Sequence, residues 1–337
     1  LGDGTTTNRT TPVIVANIGT TLPKAVAIAL GGAHSCTLLE DGRIACWGYN
    51  GYGQLGVGDT TNRYTPVIVN DIGSTLPKAV AIAAGEVHTC ALLKDGRIAC
   101  WGRNDYGQLG VGDTTRRTTP VIVNDIGSTL PKAIAVAVGT WHTCALLEDG
   151  RIACWGKNDD GQLGVGDTTH RYKPVIVANI GSTWPRAVAI AAGWHHKCAL
   201  LEDGRVACWG WNYYGQLGVG DTTDRTTPVI VANIGSTLPK AKSIGTGISH
   251  SYALLEDGRI ACWGYNGYGQ LGVGDTTNRT TPVIVKCVGG EGELYVGNIY
   301  SRITEPGVFT YIFKEVYFKR KLVTPEPTVS IGPEEVL

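Results

Sequence analysis

The pattern Cys-x9-Cys occurs four times, as Cys36 with Cys46, Cys90 with Cys100, Cys144 with Cys154, and Cys198 with Cys208, and each first cysteine follows a Gly-x-x-His by two residues. Paired thiols beside imidazoles suggest three chemistries: a disulfide, a zinc site or an activated nucleophile. The residues between the cysteines decide among them. Each pair brackets an Asp-Gly, a turn signal. With a three-residue loop at 40–42 and Gly42 left-handed, residue 39 faces 43 and Cys36 faces Cys46. Directly opposed cysteines in a hairpin have β-carbons within bonding reach, so cross-strand disulfides are expected. The competing reading is of free thiols acting as small buried apolar groups. Zinc would have to recur in every unit, and the hairpin spacing suits it poorly. Nothing singles out one cysteine as a nucleophile.

In the fifth unit Tyr252 replaces the first cysteine and leaves Cys262 without its partner; Cys287 is the other odd one. Two outcomes are open: these two pair, or each bonds a second chain. Eight paired cysteines point to an oxidising compartment, meaning secretion, a periplasm or a cell surface.

A second set of candidates lies in "GQLGVGDTT" and its copies. Gly-x-Gly-Asp invites a phosphate or calcium reading, but the loop lacks the lysine of a phosphate loop and the Asp/Asn ladder of a calcium loop. His34, His88, His142, His196 and His250 are expected to be hydrogen-bonded structural groups. Trp47, Trp101, Trp155, Trp209 and Trp263 are expected to pack between units. No metal, cofactor or catalytic constellation is expected.

The elements that position these residues follow from the repeat. Pro-Val-Ile-Val begins at 12, 66, 120, 174, 228 and 282, and Cys-Trp-Gly at 46, 100, 154, 208 and 262, a period of 54 residues. Within one period four short strands are expected: 66–69, 78–84, 89–93 and 97–102, rich in β-branched and small apolar residues between turn formers. Four strands per unit make a propeller blade.

The unit "GEVHTCALLKDGRIACWGRNDYGQLGVGD" resembles the repeat of the RCC1 (regulator of chromosome condensation) family, and the match recurs across residues 1–285. The resemblance implies an all-β, RCC1-like β-propeller, usually of seven blades, with "GQLG" as the turn between them and Asp59, Asp113, Asp167, Asp221 and Asp275 as the residues that fix it. Five full units are present, over about 12–264, so ring closure is the open question. Three parts are expected: a repeat propeller at 1–286, a divergent β segment at 287–323 that is either a degenerate blade or an assembly strand, and a Pro- and Glu-containing tail at 324–337.

Composition limits the function. The chain has 337 residues, 43% hydrophobic and 17% charged, with zero net charge, which suits a folded protein and advertises no nucleic-acid partner. No apolar run reaches the roughly 20 residues of a membrane span; "GVFTYIFKEVYFKRKL" is broken by Lys314, Glu315 and Lys319. With no methionine, the chain is expected to begin after processing or truncation, in the middle of a repeat.

If the repeated residues build a scaffold, function lies where repeats differ. The Gly-x-x-His loops and the residues after Cys-Trp-Gly vary most. Of nine Trp, the four outside the repeat are Trp141, Trp184, Trp194 and Trp211. Trp141, Trp194, His195, Trp211, Tyr213 and Tyr214 form the candidate partner-binding patch, suited to protein or glycan. Asn8 and Asn278 stand in glycosylation sequons.

The reading is a secreted or surface non-catalytic propeller that binds a protein or copies of itself, in one version as a fibre or array subunit joined through residues 287–323. The alternative is a secreted enzyme inhibitor, since the family resembled includes propellers that inhibit β-lactamases. That family also includes the nuclear exchange factor for Ran, a role that neutral charge and paired cysteines argue against. A hydrolase or lyase on the same scaffold is the third reading.

Overall fold

The computed structural model describes residues 1–286 in full and the backbone of four short strands beyond them. The first sheet contains β1 (Ala25–Leu30), β2 (His34–Leu39), β3 (Ile44–Gly48) and β4 (Arg63–Ile68), antiparallel and in chain order. The second holds β5 (Ala79–Ala84), β6 (His88–Leu93), β7 (Ile98–Gly102) and β8 (Arg117–Ile122). The third holds β9 (Ala133–Val138), β10 (His142–Leu147), β11 (Ile152–Gly156) and β12 (Arg171–Ile176). The fourth is β13 (Ala187–Ala192), β14 (His196–Leu201), β15 (Val206–Gly210) and β16 (Arg225–Ile230). The fifth is β17 (Ala241–Thr246), β18 (His250–Leu255), β19 (Ile260–Gly264) and β20 (Arg279–Ile284).

Each strand's composition matches its place. The second strand of a blade is buried on both faces, so "HTCALL" alternates no polar residue outward. The fourth carries Pro66 or its equivalent, tolerated because an edge strand has one side without a ladder. The Asp-Gly turn behaves as the spacing requires: Gly42 has φ 83°, Leu39 N–H donates to Arg43 O, and Cys36 opposes Cys46. The register repeats, with Cys90 opposite Cys100, Cys144 opposite Cys154, and Cys198 opposite Cys208.

Among the described residues four apolar clusters each lie between consecutive blades, and a smaller fifth sits within the last blade. The first takes the disulfide of Cys36 with Cys46, Leu38, Ile44, Leu55, Val69 and Ile72 from one blade, and Ala79, Ala91, Leu93, Ala99 and Trp101 from the next. Stability is therefore a sum of neighbour terms, as in other repeat proteins. On the face of β1 turned away from the second blade, Ile28 is 63% exposed, whereas Ile82, at the same place in the second blade, packs into the first cluster.

Beyond the blades, Glu293–Val296 (β21) pairs with Val316–Lys319 (β24), and Ile299–Ile303 (β22) with Phe309–Phe313 (β23). These four strands form two two-stranded sheets. Cys287 and the tail at 324–337 lie outside the described residues.

Candidate functional site: an aromatic face

The loops between first and second strands and those between third and fourth strands emerge at one end of every blade, because His34 pairs with Gly48 across β2 and β3. The longer loop is built as a pedestal. Asn50 Oδ1 accepts from Leu55 N–H at 2.9 Å, while its Nδ2 donates to Asp59 O and Thr61 O at 2.9 and 3.1 Å. Gln54 Oε1 accepts from Tyr52 N–H at 3.0 Å, and Arg63 clamps Asp59 at 2.6 Å. The same bonds recur around Asn104, Asn158, Asn212 and Asn266. A Cβ on Gly53 would stand 2.8 Å from Thr118 Cα of the next blade, so glycine is required where the loops cross. Each pedestal holds its variable positions in a fixed place.

Those positions carry the patch. His195 is its hub: the ring lies edge-on to Trp141, Trp194 and Trp211, with centroids 6.4, 6.2 and 6.0 Å away. Its Nδ1 is 2.7 Å from Asp160 Oδ2, a bond between the fourth blade and the third that holds the Asp160 carboxyl below the usual carboxylate range. Trp211 stacks on Tyr213 at 6.0 Å and meets Tyr214 edge-on at 5.4 Å. The structure thus brings all six sequence-predicted patch residues together.

The face extends further than the sequence indicated. Trp141 stacks on Tyr106 at 5.4 Å, with Lys157 Nζ 4.7 Å from the Trp141 ring centre and Arg103 bridging to Tyr52 at 4.8 Å. At the other end Tyr214 contacts Tyr265 at 4.7 Å, and Tyr265 contacts Tyr268 at 5.9 Å. Tyr213 and Tyr268 are 66% and 88% exposed, so the row presents bare rings to solvent. The overlooked signal was positional: Tyr52, Tyr106, Tyr214 and Tyr268 occupy one place in successive units, where the third has Asp160.

Other expectations fall elsewhere. Trp184 packs against the third inter-blade cluster, away from the patch. Four cross-strand disulfides form, Cys36 with Cys46, Cys90 with Cys100, Cys144 with Cys154, and Cys198 with Cys208, each with a Cα separation of 4.1 Å. None of these eight is a free thiol, whereas buried Cys262 is free. Cys287, for which pairing with Cys262 and bonding to a second chain were both open, lies outside the described residues. Asn8 and Asn278 are exposed, and Asn278 Oδ1 also accepts from Asn266 N–H at 2.9 Å. No group of three or more metal-ligating side chains occurs among the described residues, and none of their hydroxyls or thiols bonds His195.

The recurrent histidines and tryptophans tie blades together. Trp101 Nε1 and Thr89 Oγ1 both donate to Gln54 O of the preceding blade at 2.9 Å, and Thr89 Oγ1 receives His34 Nε2 at 2.9 Å. Burial lowers the His34 pKa to about 4, so its ring is neutral. The same join recurs at His88 with Thr143 and at His196 with Ser251.

Comparison with known proteins agrees with this architecture. The model of the RCC1-like domain matches residues 1–301. The Arabidopsis thaliana ultraviolet-B receptor UVR8 is 32% identical over 85% of this chain and 63% of its own. The mitochondrial RCC1 domain-containing protein RUG3 of the same plant is 34% identical over 79% of this chain and 60% of its own. The chain thus spans about three fifths of each of these relatives. Human WBSCR16 superposes with a TM-score of 0.68 at 24% identity, covering 80% of this chain and 69% of that one, a likeness of fold. With its repeated blades, inter-blade joins and top-face loops, the chain belongs to the RCC1-like domain family.

Proposed function

We propose that the chain is a non-catalytic protein-binding module that takes its partner on the aromatic face. One observation carries this reading: the near-identical repeats diverge where their loops meet, and the divergent residues form an unbroken row of ring contacts from Tyr106 through His195 to Tyr268. Large rigid rings on a pre-formed surface give contact area at little entropic cost, which is how interface hot spots work. Four disulfides support an oxidising compartment as its place of action.

The test is cross-linking of the natively isolated protein to neighbours, followed by binding of the identified partner to a Trp211→Ala/Tyr213→Ala variant. Binding lost with unchanged thermal unfolding supports the face; binding kept at full strength rejects it. Thiol labelling without reductant tests the compartment: eight unreactive cysteines are expected.

Self-association is favoured by one further observation, the pair Ile28 and Leu30 on β1, exposed where the equivalent positions of the later blades are half-buried. Native mass measurement decides it. A monomer at all concentrations removes this second reading and leaves the first intact.

A further inference from the structure

Beside the aromatic face, the five loops that follow the innermost strands surround a cavity of about 470 Å³ at the mouth of the central channel. That volume falls within the range of small-ligand sites. Its base is backbone: each loop contributes a glycine at its turn, with a blade histidine directly beneath, as a Cβ on Gly139 would show by standing 2.7 Å from His142 Nε2. The side chains above the glycines differ from blade to blade, and they alone give the cavity chemical character.

Leu30, Val138 and Ile248 provide apolar wall. Glu86, on the second blade, is the one charged side chain of the lining; its stem lies along Gly32, and it makes no ion pair among the described residues. Opposite it, on the fourth blade, Trp194 lines the cavity and is 47% exposed. Between them, Thr140 is 4% exposed, and its hydroxyl is buried with no hydrogen-bond partner. A buried hydroxyl left unpaired is costly, and a bound donor recovers that cost.

A carboxylate without a counter-ion, an indole ring and an unpaired hydroxyl share one ligand chemistry. The carboxylate favours a cation and excludes anions. The indole face attracts a cation whose charge is spread over an organic body. The apolar wall takes the attached carbon chain, which a bare metal ion lacks. We propose that the channel mouth is a binding site for an alkylammonium or guanidinium group, with Glu86 as counter-ion, Trp194 as the aromatic face and the Thr140 hydroxyl as hydrogen-bond acceptor. The group can belong to a free amine or to a lysine or arginine side chain of a bound protein. Trp194 also touches His195, so a protein lying on the aromatic face has this mouth within reach. The cation site stands whether or not that face binds protein.

The experiment is titration of the full chain with butylammonium, with N-acetyl-arginine amide and with a short arginine-bearing peptide, followed by calorimetry and by tryptophan emission. Saturable binding is expected, weakened about threefold to tenfold in Glu86→Gln and in Trp194→Leu and by added salt, while acetate and butanol do nothing. Thermal unfolding of both variants reports that they are folded. Binding of butylammonium alone assigns the site to free amines; binding confined to the arginine compounds assigns it to a guanidinium side chain. Absence of saturable binding by all three probes overturns the proposal, as does equal binding by Glu86→Gln.

Discussion

The phenol ring of Tyr252 lies directly over Gly245, its cross-strand neighbour, and leaves no room there for a Cβ. The equivalents of Gly245 in the other blades are Ala29, Ala83, Ala137 and Ala191, each opposite a disulfide cysteine. Two substitutions in the fifth blade are therefore coupled: the cysteine became a tyrosine, and the alanine facing it lost its methyl. Tyr252 also opposes Cys262, whose thiol burial pushes up to about 12. Burial keeps that thiol protonated in the fold, which disfavours its reaction.

Restoring the cysteine should restore the bond. In Tyr252→Cys the new thiol opposes Cys262 in the register that the four existing disulfides use. The expected outcome is a fifth disulfide, seen as the loss of 2 Da against the reduced form and of one reactive thiol after unfolding. A short closed loop of this kind adds about 2–3 kcal/mol. Gly245→Ala in the parent chain should do the opposite and lower the melting temperature, because the methyl and the Tyr252 ring compete for one space.

Much of this was legible beforehand. The Cys-x9-Cys spacing around Asp-Gly contains the register of β2 and β3, because a hairpin loop of fixed length leaves one pairing. Trp211, Tyr213 and Tyr214 stood out because they break a repeat. Tyr106 did not, because its place in the unit holds tyrosine in four of the five, and Arg103 and Lys157 did not, because their shared place changes from unit to unit; only the arc of blades shows that they meet Trp141. The cavity around Glu86 was hidden for a related reason. Its walls come from five loops one period apart, and sequence gives no measure of the distance across the channel.

Lys197 shows what a single departure inside the scaffold does. It stands where Thr89, Thr143 and Ser251 join the other blades, and it is fully buried. Its Nζ and His142 Nε2, the group that a hydroxyl there would satisfy, are both without partners. Burial holds the amine well below its usual range. Lys197→Thr should raise the unfolding free energy by about 1–3 kcal/mol as the two lost bonds return. The parent should also gain stability as pH rises toward 10.5, where the unfolded lysine stops binding its proton; the variant should lose that slope. Denaturant melts of both proteins at pH 7 and pH 9.5 check this. An unchanged slope would mean that the amine has found water.

Acid should loosen the blades in two stages. Burial lowers His34 to about 4 and His88 and His196 to about 3, against 6.5 for a free histidine. The unfolded chain therefore takes up protons that the folded chain refuses once pH falls below about 6.5. Stability should drop from there by up to roughly 1.4 kcal/mol per pH unit for each such histidine, flattening below about 3. Below 3.8 the loop carboxylates join in, as Asp59 and Asp113 are held low chiefly by their bonds to Arg63 and Arg117. Denaturant melts at pH 7, 5 and 4 should show the first stage alone. A flat profile between 7 and 5 would show that the imidazoles are solvated in the folded protein.

The last prediction concerns the hub of the aromatic face. His195 touches three indoles and bonds Asp160 of the neighbouring blade, so it holds two halves of the face in one geometry. His195→Ala removes the centre and leaves the rim, and the core clusters beneath do not contain His195. The melting temperature should therefore change little, while affinity for a partner on this face falls by about 2 kcal/mol, the scale of a hot-spot truncation. Asp160→Asn separates the contributions of shape and charge. An amide of the same size still accepts from Nδ1–H, a bond of 2.7 Å in the parent, but carries no charge. If the histidine serves only to position the tryptophans, binding of the asparagine variant should match the parent. Binding of both proteins, with the alanine variant alongside, gives the answer. Loss of binding in Asp160→Asn would mean that the carboxylate itself meets the partner.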